Sequence, residues 1–191
     1  GGAITSGKTG NNHCIYLRGI GNSKITGESS NRAKWNISGT NIICNGDIDL
    51  LLDYSLVKSG NLPSMANYCY AYMFYGCASL TTAPSLPATT LASHCYFSMF
   101  QGCTSLTTAP SLPATTLASG CYLYMFQGCT KIKLSTTASG TYTKSYRIPK
   151  NGTGTTASGA LDSMFANTGG TFKGTPEINT TYYLDASNTI V

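Results

Sequence analysis

The sequence predicts an α/β repeat fold, a right-handed solenoid of about four irregular coils behind an N-terminal antiparallel β cap. Three observations predict it. Residues 79–93 recur unchanged at 105–119, a step of 26 residues. The pairs Cys69/Cys77, Cys95/Cys103 and Cys121/Cys129 keep a spacing of eight and repeat at the same 26-residue step. Upstream of these copies, short apolar runs alternate with Gly and Asn, residues that tolerate tight turns. A unit this short cannot bury an apolar face alone, whereas stacked copies share one continuous core.

Taken in order, residues 1–10 are a Gly, Ser, Thr and Lys lead-in, expected to be loose. Residues 11–60 form the predicted cap, with strand-like runs at 14–18, 23–26, 33–37, 41–44 and 47–51. Asn45-Gly46 between apolar runs is the strongest hairpin signal in the chain. Trp35, the only Trp, is read as the anchor of the cap's core.

The repeat array spans 61–175. Met73-Phe74, Met99-Phe100 and Met125-Phe126 recur in register, as do Gly76, Gly102 and Gly128. Leu80/Leu106 and Leu86/Leu112 lie on a Thr-rich extended segment that Pro84, Pro87, Pro110 and Pro113 keep short. Residues 91–100 and 117–126 are each long enough for roughly two to three helical turns. A degenerate fourth copy, 157–168, aligns with 118–129 at a step of 39. The additional residues fall within 133–156, an inserted loop or hairpin in which 142–148 has strand composition. Residues 176–191 are a C-terminal cap, with 180–184 a candidate closing strand.

Only 10% of the residues are charged, against roughly 25% in an ordinary soluble domain, so hydroxyls, amides and Tyr must cover the surface. The net charge of +5 is scattered, with no basic block, which argues against nucleic acid as a partner. No run approaches the ~20 apolar residues of a membrane helix.

The period Met-Phe-x-Gly-Cys-x-Ser-Leu-Thr-x-x-Pro-x-Leu-Pro resembles the BspA-like leucine-rich repeats of bacterial surface proteins, in the form common in gut Bacteroides. The resemblance covers residues 62–168, and 15–19 and 45–54 resemble the segment that precedes such arrays. It implies an exported, cell-surface protein with a binding or adhesive role and no catalytic residues to carry over. Two departures stand out. Ala83/Ala109 and Ser85/Ser111 occupy positions where large aliphatics are usual, and the fourth copy has Ala160 and Thr168 in place of its two Cys.

Six of the eight Cys lie in the repeat. Three readings compete: ladders of buried free thiols, one bridge per copy, or metal. Metal is the weakest, because zinc clusters place ligands two to four residues apart. A bridge requires Cα atoms within ~7 Å, and eight residues of straight helix span ~12 Å, so buried thiols are preferred. Pairing between Cys14 and Cys44 stays open.

Catalysis lacks material. The seven acids are scattered, Asp47 and Asp49 are read as a solvated strand start, and no nucleophile–base pair or phosphate loop is evident. No cofactor or metal is expected. Binding is better supported, because within otherwise matching copies the sequence varies at Tyr68/His94/Gly120, Ala71/Phe97/Leu123, Tyr72/Ser98/Tyr124 and Tyr75/Gln101/Gln127. Such positions are not demanded by the core, and Tyr gives large contact area with few rotamers to freeze. A second candidate surface is the row of Thr81, Thr82, Thr107 and Thr108. The expected function is non-enzymatic recognition of an extracellular protein or glycan. A structural spacer and a polysaccharide-binding accessory module are the alternatives.

Overall fold

The computed structural model describes residues 8–9, 12–13, 15–26 and 34–191. In chain order the elements are β1 (Lys8–Thr9), β2 (Asn12–His13), β3 (Ile42–Ile43), a 3-10 turn (Ile48–Leu51) and α1 (Tyr54–Lys58). They continue with β4 (Leu80–Thr82), β5 (Thr108–Ala109), β6 (Leu134–Ser135), β7 (Tyr142–Arg147), β8 (Thr181–Asp185) and β9 (Thr189–Ile190). Asp53 caps α1 by accepting from the N–H groups of Ser55 and Leu56.

This is not the α/β leucine-rich-repeat solenoid that the sequence predicts. Among the described residues, helix is confined to Ile48–Leu51 and α1, both outside the repeat, and the strands form small separate sheets. Where helices are expected, at 91–100 and 117–126, the chain runs as consecutive tight turns. Every fourth residue there takes a left-handed backbone: Tyr68, Tyr72 and Gly76 in copy one, then His94, Ser98 and Gly102, then Gly120, Tyr124 and Gly128. The fourth copy repeats it at Gly159, Ser163 and Asn167, with φ between 50° and 64°.

The apolar pattern explains why a helix is not formed. Cys69-Tyr70, Met73-Phe74 and Cys77 recur at a period of four, and all join the core, whereas a helix turns every 3.6 residues and would rotate these pairs off one face. Four-residue turns keep them aligned. Backbone N–H groups also find partners without a helix. Alternate N–H groups close i→i−3 turns, such as Met73 to Tyr70 O (3.2 Å) and Met99 to Tyr96 O (3.2 Å). The intervening ones donate to the next copy: Tyr70 to Cys95 O (2.8 Å), Tyr96 to Cys121 O (3.0 Å) and Tyr122 to Ala160 O (2.9 Å). Left-handed φ costs a non-glycine residue about 1–2 kcal/mol, and these ladders hold it in place.

Stacking at this step aligns identical side chains. Tyr70, Tyr96 and Tyr122 lie parallel with ring centroids 5.5 and 5.8 Å apart. Phe74, Phe100, Phe126 and Phe165 form a second column at 5.5–5.6 Å. Met73, Met99, Met125 and Met164 are fully buried beside them.

The N-terminal antiparallel cap is also corrected. The only antiparallel pair described there is β1–β2, and residues 15–18, 23–26 and 34–37 form no strand. Asn45-Gly46 does not close a hairpin; it leads into the 3-10 turn. Instead β3 runs parallel to β4, Ile42 opposite Leu80, and Ile48 N–H donates to Ser85 O (3.2 Å). Ile25 and Thr26 both donate to Cys69 O, and Trp35 donates to Met73 O at 2.9 Å. This segment is therefore an imperfect extra layer on copy one. Trp35 closes the Phe column by an edge contact with Phe74 at 5.8 Å rather than anchoring a core of its own.

At the other end, β8 lies between β6 and β7 in a three-stranded antiparallel sheet. The strand expected at 142–148 is β7, and the one expected at 180–184 is β8. Tyr146, on β7, donates its hydroxyl to Pro110 O (3.0 Å) and so ties the insertion to copy two.

Candidate functional site

The four-residue turns sort each copy into two rows. Cys69-Tyr70 and Met73-Phe74 belong to the core, while Ala71-Tyr72 and Tyr75-Gly76 lie outside that cluster. The positions that vary between copies all belong to the second group. Tyr68, Tyr75, His94, Phe97, Gln101, Leu123, Tyr124 and Gln127 are half-buried. Tyr72 is 5% exposed and Ser98 0%, although neither belongs to the core cluster.

These residues interlock across copies. Tyr68 stacks on His94 at 4.8 Å, and His94 meets Phe97 edge-on at 5.8 Å. Tyr72 contacts Phe97 at 4.9 Å and Tyr75 at 5.7 Å, and Phe97 reaches Tyr124 at 6.0 Å. Ser93 Oγ and His94 Nδ1 are hydrogen-bonded at 2.8 Å, and Gln101 donates to Gln127 in the next copy. Lys34 Nζ sits 5.5 Å from the centre of the Tyr75 ring, a cation–π geometry. The result is one partly exposed aromatic face drawn from three copies.

The sequence differences within each row are coupled. A Cβ on Gly120 would fall 2.5 Å from His94 Nε2, so the absent side chain at 120 makes room for the imidazole of the preceding copy. Ser98 lies between two tyrosines in its row, and its buried Oγ has no partner among the described residues. Left-handed φ at Tyr68, Tyr72 and Tyr124, near 60°, is uncommon for bulky residues. Strain of this kind concentrates where a particular side-chain placement is needed.

The threonine rows have a different role. Thr81 Oγ1 donates to Ile42 O (3.0 Å) and Thr107 Oγ1 to Thr81 O (3.1 Å). Thr108 is 6% exposed, and its Oγ1 accepts from Ala83 N–H at 2.6 Å. Thr82 is half-buried, and its carbonyl accepts from Cys44 N–H at 3.1 Å. Three of the four hydroxyls are thus engaged in joining one layer to the next.

The repeat cysteines are free and buried. Cys103 Sγ donates to Phe74 O (3.1 Å) and Cys129 Sγ to Phe100 O (3.0 Å), each reaching into the preceding copy. In copy four the Thr168 hydroxyl instead donates within its own copy, to Phe165 O at 2.9 Å. Burial raises the thiols, Cys69, Cys121 and Cys129 each to about 12 and Cys44 to about 11. The thiolates needed for nucleophilic or redox chemistry are correspondingly suppressed. Cys14 lies outside the described residues, and so does the question of its pairing.

Asp47 and Asp49 are not a solvated strand start. Asp47 caps the 3-10 turn by accepting from Asp49 N–H (2.8 Å). Asp49 is fully buried and accepts from the Tyr70 hydroxyl at 2.9 Å. Burial raises its carboxyl to about 6, the Tyr70 bond opposes the rise, and the Asp47 charge adds to it. Among the described residues, no group of three His, Cys, Asp or Glu is placed to hold a metal, and no helix is long and apolar enough to cross a membrane.

The period-four apolar pairing was the one sequence signal that could have revealed the turns and the face they support. Comparison with protein-family models, with curated proteins and with solved structures finds no match.

Proposed function

We infer that the chain is a non-enzymatic binding module whose aromatic face recognises an extracellular protein or glycan. One observation carries this reading: Tyr68, His94, Phe97, Tyr75 and Tyr124, drawn from three copies, are fixed ring against ring around the buried Tyr72 at 4.8–6.0 Å and are themselves left partly exposed. Rigid Tyr-rich surfaces lose little conformational entropy on binding, and Tyr and Trp are over-represented among residues that dominate interface energy. Placement outside the cell rests on the resemblance of the repeat motif to bacterial surface proteins.

The test is a binding screen against matrix proteins and polysaccharides, repeated with Tyr75, Phe97 and Tyr124 changed to Ser in a variant shown to remain folded. Saturable binding lost in the variant supports the reading. Binding that survives moves recognition elsewhere. No binding favours a spacer within a longer surface protein, a reading supported by the burial of Tyr72 and Ser98, two varied positions that serve packing.

A further inference from the structure

A recess of about 270 Å³ opens where β7 meets the 149–152 loop, away from the residues of the aromatic face. Its polar lining is Ser111, Ser145, Arg147, Lys150, Asn151 and Thr181, with Tyr146 and Ile190 as the apolar part. Two cations face it, and among the described residues no carboxylate side chain lines it.

Arg147 is held by neutral acceptors only. Nε donates to Asn179 O (3.3 Å), Nη1 to Pro149 O (2.9 Å) and Gly152 O (2.6 Å), and Nη2 to Asn179 Oδ1 (3.4 Å). The guanidinium is thereby fixed, its charge is not neutralised, and one of its five N–H groups remains free. Asn179 is fixed in turn, accepting from Gly154 N–H (2.8 Å) and donating to Gly154 O (3.0 Å). Lys150 N–H donates to Leu112 O at 2.8 Å, which locks the loop onto copy two. The Lys150 ammonium, the Asn151 amide and the hydroxyls of Ser111, Ser145 and Thr181 have no partner among the described residues.

The recess therefore combines positive charge with several uncommitted donors that can also serve hydroxyl groups. Its volume lies just below the range for drug-sized ligands, which suits a single ring. We propose that this recess binds the acidic residue of a glycan, a sugar ring carrying a carboxylate or a sulfate. The proposal stands apart from the aromatic face and holds whether or not that face binds anything.

The test is a titration of the isotope-labelled chain at constant ionic strength with sodium glucuronate, with glucose 6-sulfate, with inorganic sulfate and with neutral glucose. Backbone amide shifts are followed at Ser111, Ser145 and Thr181. Saturable shifts with either acidic sugar support the proposal, provided that glucose and inorganic sulfate bind more weakly. Which acidic sugar binds better identifies the anionic group. Lys150→Gln should weaken binding roughly tenfold, the loss expected for one charge-assisted hydrogen bond, while Phe97→Ser should leave it unchanged. Equal response to glucose removes the role of charge and overturns the proposal. Equal response to inorganic sulfate removes the role of the ring and also overturns it, as does a linear drift at every lysine.

Discussion

The turn-built copies and the C-terminal sheet solve the same backbone problem in opposite ways. In β7–β8 the partner strand is antiparallel and joined through a ladder, with Tyr146 opposite Tyr182. In the copies each turn is paired in parallel with the equivalent turn of the next copy, 26 residues on or 39 for the last, and the turns themselves contain neither strand nor helix. The sheet tolerates varied side chains, because its order comes from the ladder. The copies need identity at Tyr70/Tyr96/Tyr122 and Phe74/Phe100/Phe126, because their order comes from like side chains stacking on like.

Substitutions should separate the two regions, beginning with the core. Phe100→Ala removes an inner ring of a fully buried column and should cost about 3–5 kcal/mol by denaturant unfolding. Tyr146→Phe removes one buried hydrogen bond and should cost about 1–2 kcal/mol. Similar costs for the two would break the comparison.

The two ends should also respond oppositely to acid. Asp49, on the layer over copy one, is raised to about 6, first by burial. The folded state thus holds the proton more tightly than the unfolded chain. Its contribution is complete below the ordinary carboxylate pKa of 3.8 and is lost as pH rises through about 6, by roughly 2–3 kcal/mol. Asp185, on the C-terminal sheet, is lowered to about 2 by the Ser187 and Thr141 hydroxyls. Its contribution is present above 3.8 and is lost as pH falls through about 2. Stability measured from pH 4 to 7 should fall in the wild type and stay flatter in Asp49→Asn.

Smaller effects probe the turn itself. Gly102 has φ of 76° with ordinary space for a Cβ, the nearest atom being Gly76 Cα at 3.6 Å. Gly102→Ala should therefore cost about 1–2 kcal/mol through backbone conformation alone. Ser98→Ala removes a buried hydroxyl without a partner and should stabilise by about 1 kcal/mol. Thermal melts of both variants read these signs directly.

The repeat step, the aligned core residues and strands β7 and β8 were legible in the sequence, because composition and self-similarity act locally. The helix was not. Met73-Phe74 and its flanking Cys-Tyr pair satisfy a loose helical pattern, and only the strict period of four, continued to Cys77, excludes it. The hairpin at Asn45-Gly46 failed for another reason: Ile42 and Ile48 find partners on copy one, at Leu80 and Ser85, and tertiary pairing overrides local turn preference. For the candidate face, the varied positions were visible, but their coupling was not. That Gly120 makes room for His94 depends on which residues stack.

The central claim, that stacked four-residue turns carry the aromatic face, is most directly tested by scalar coupling across hydrogen bonds in the labelled protein. The Tyr96 amide nitrogen should couple to the Cys121 carbonyl carbon, the bond spanning 3.0 Å between copies. Coupling to the Ala92 carbonyl, the i→i−4 partner of a helix, would contradict it.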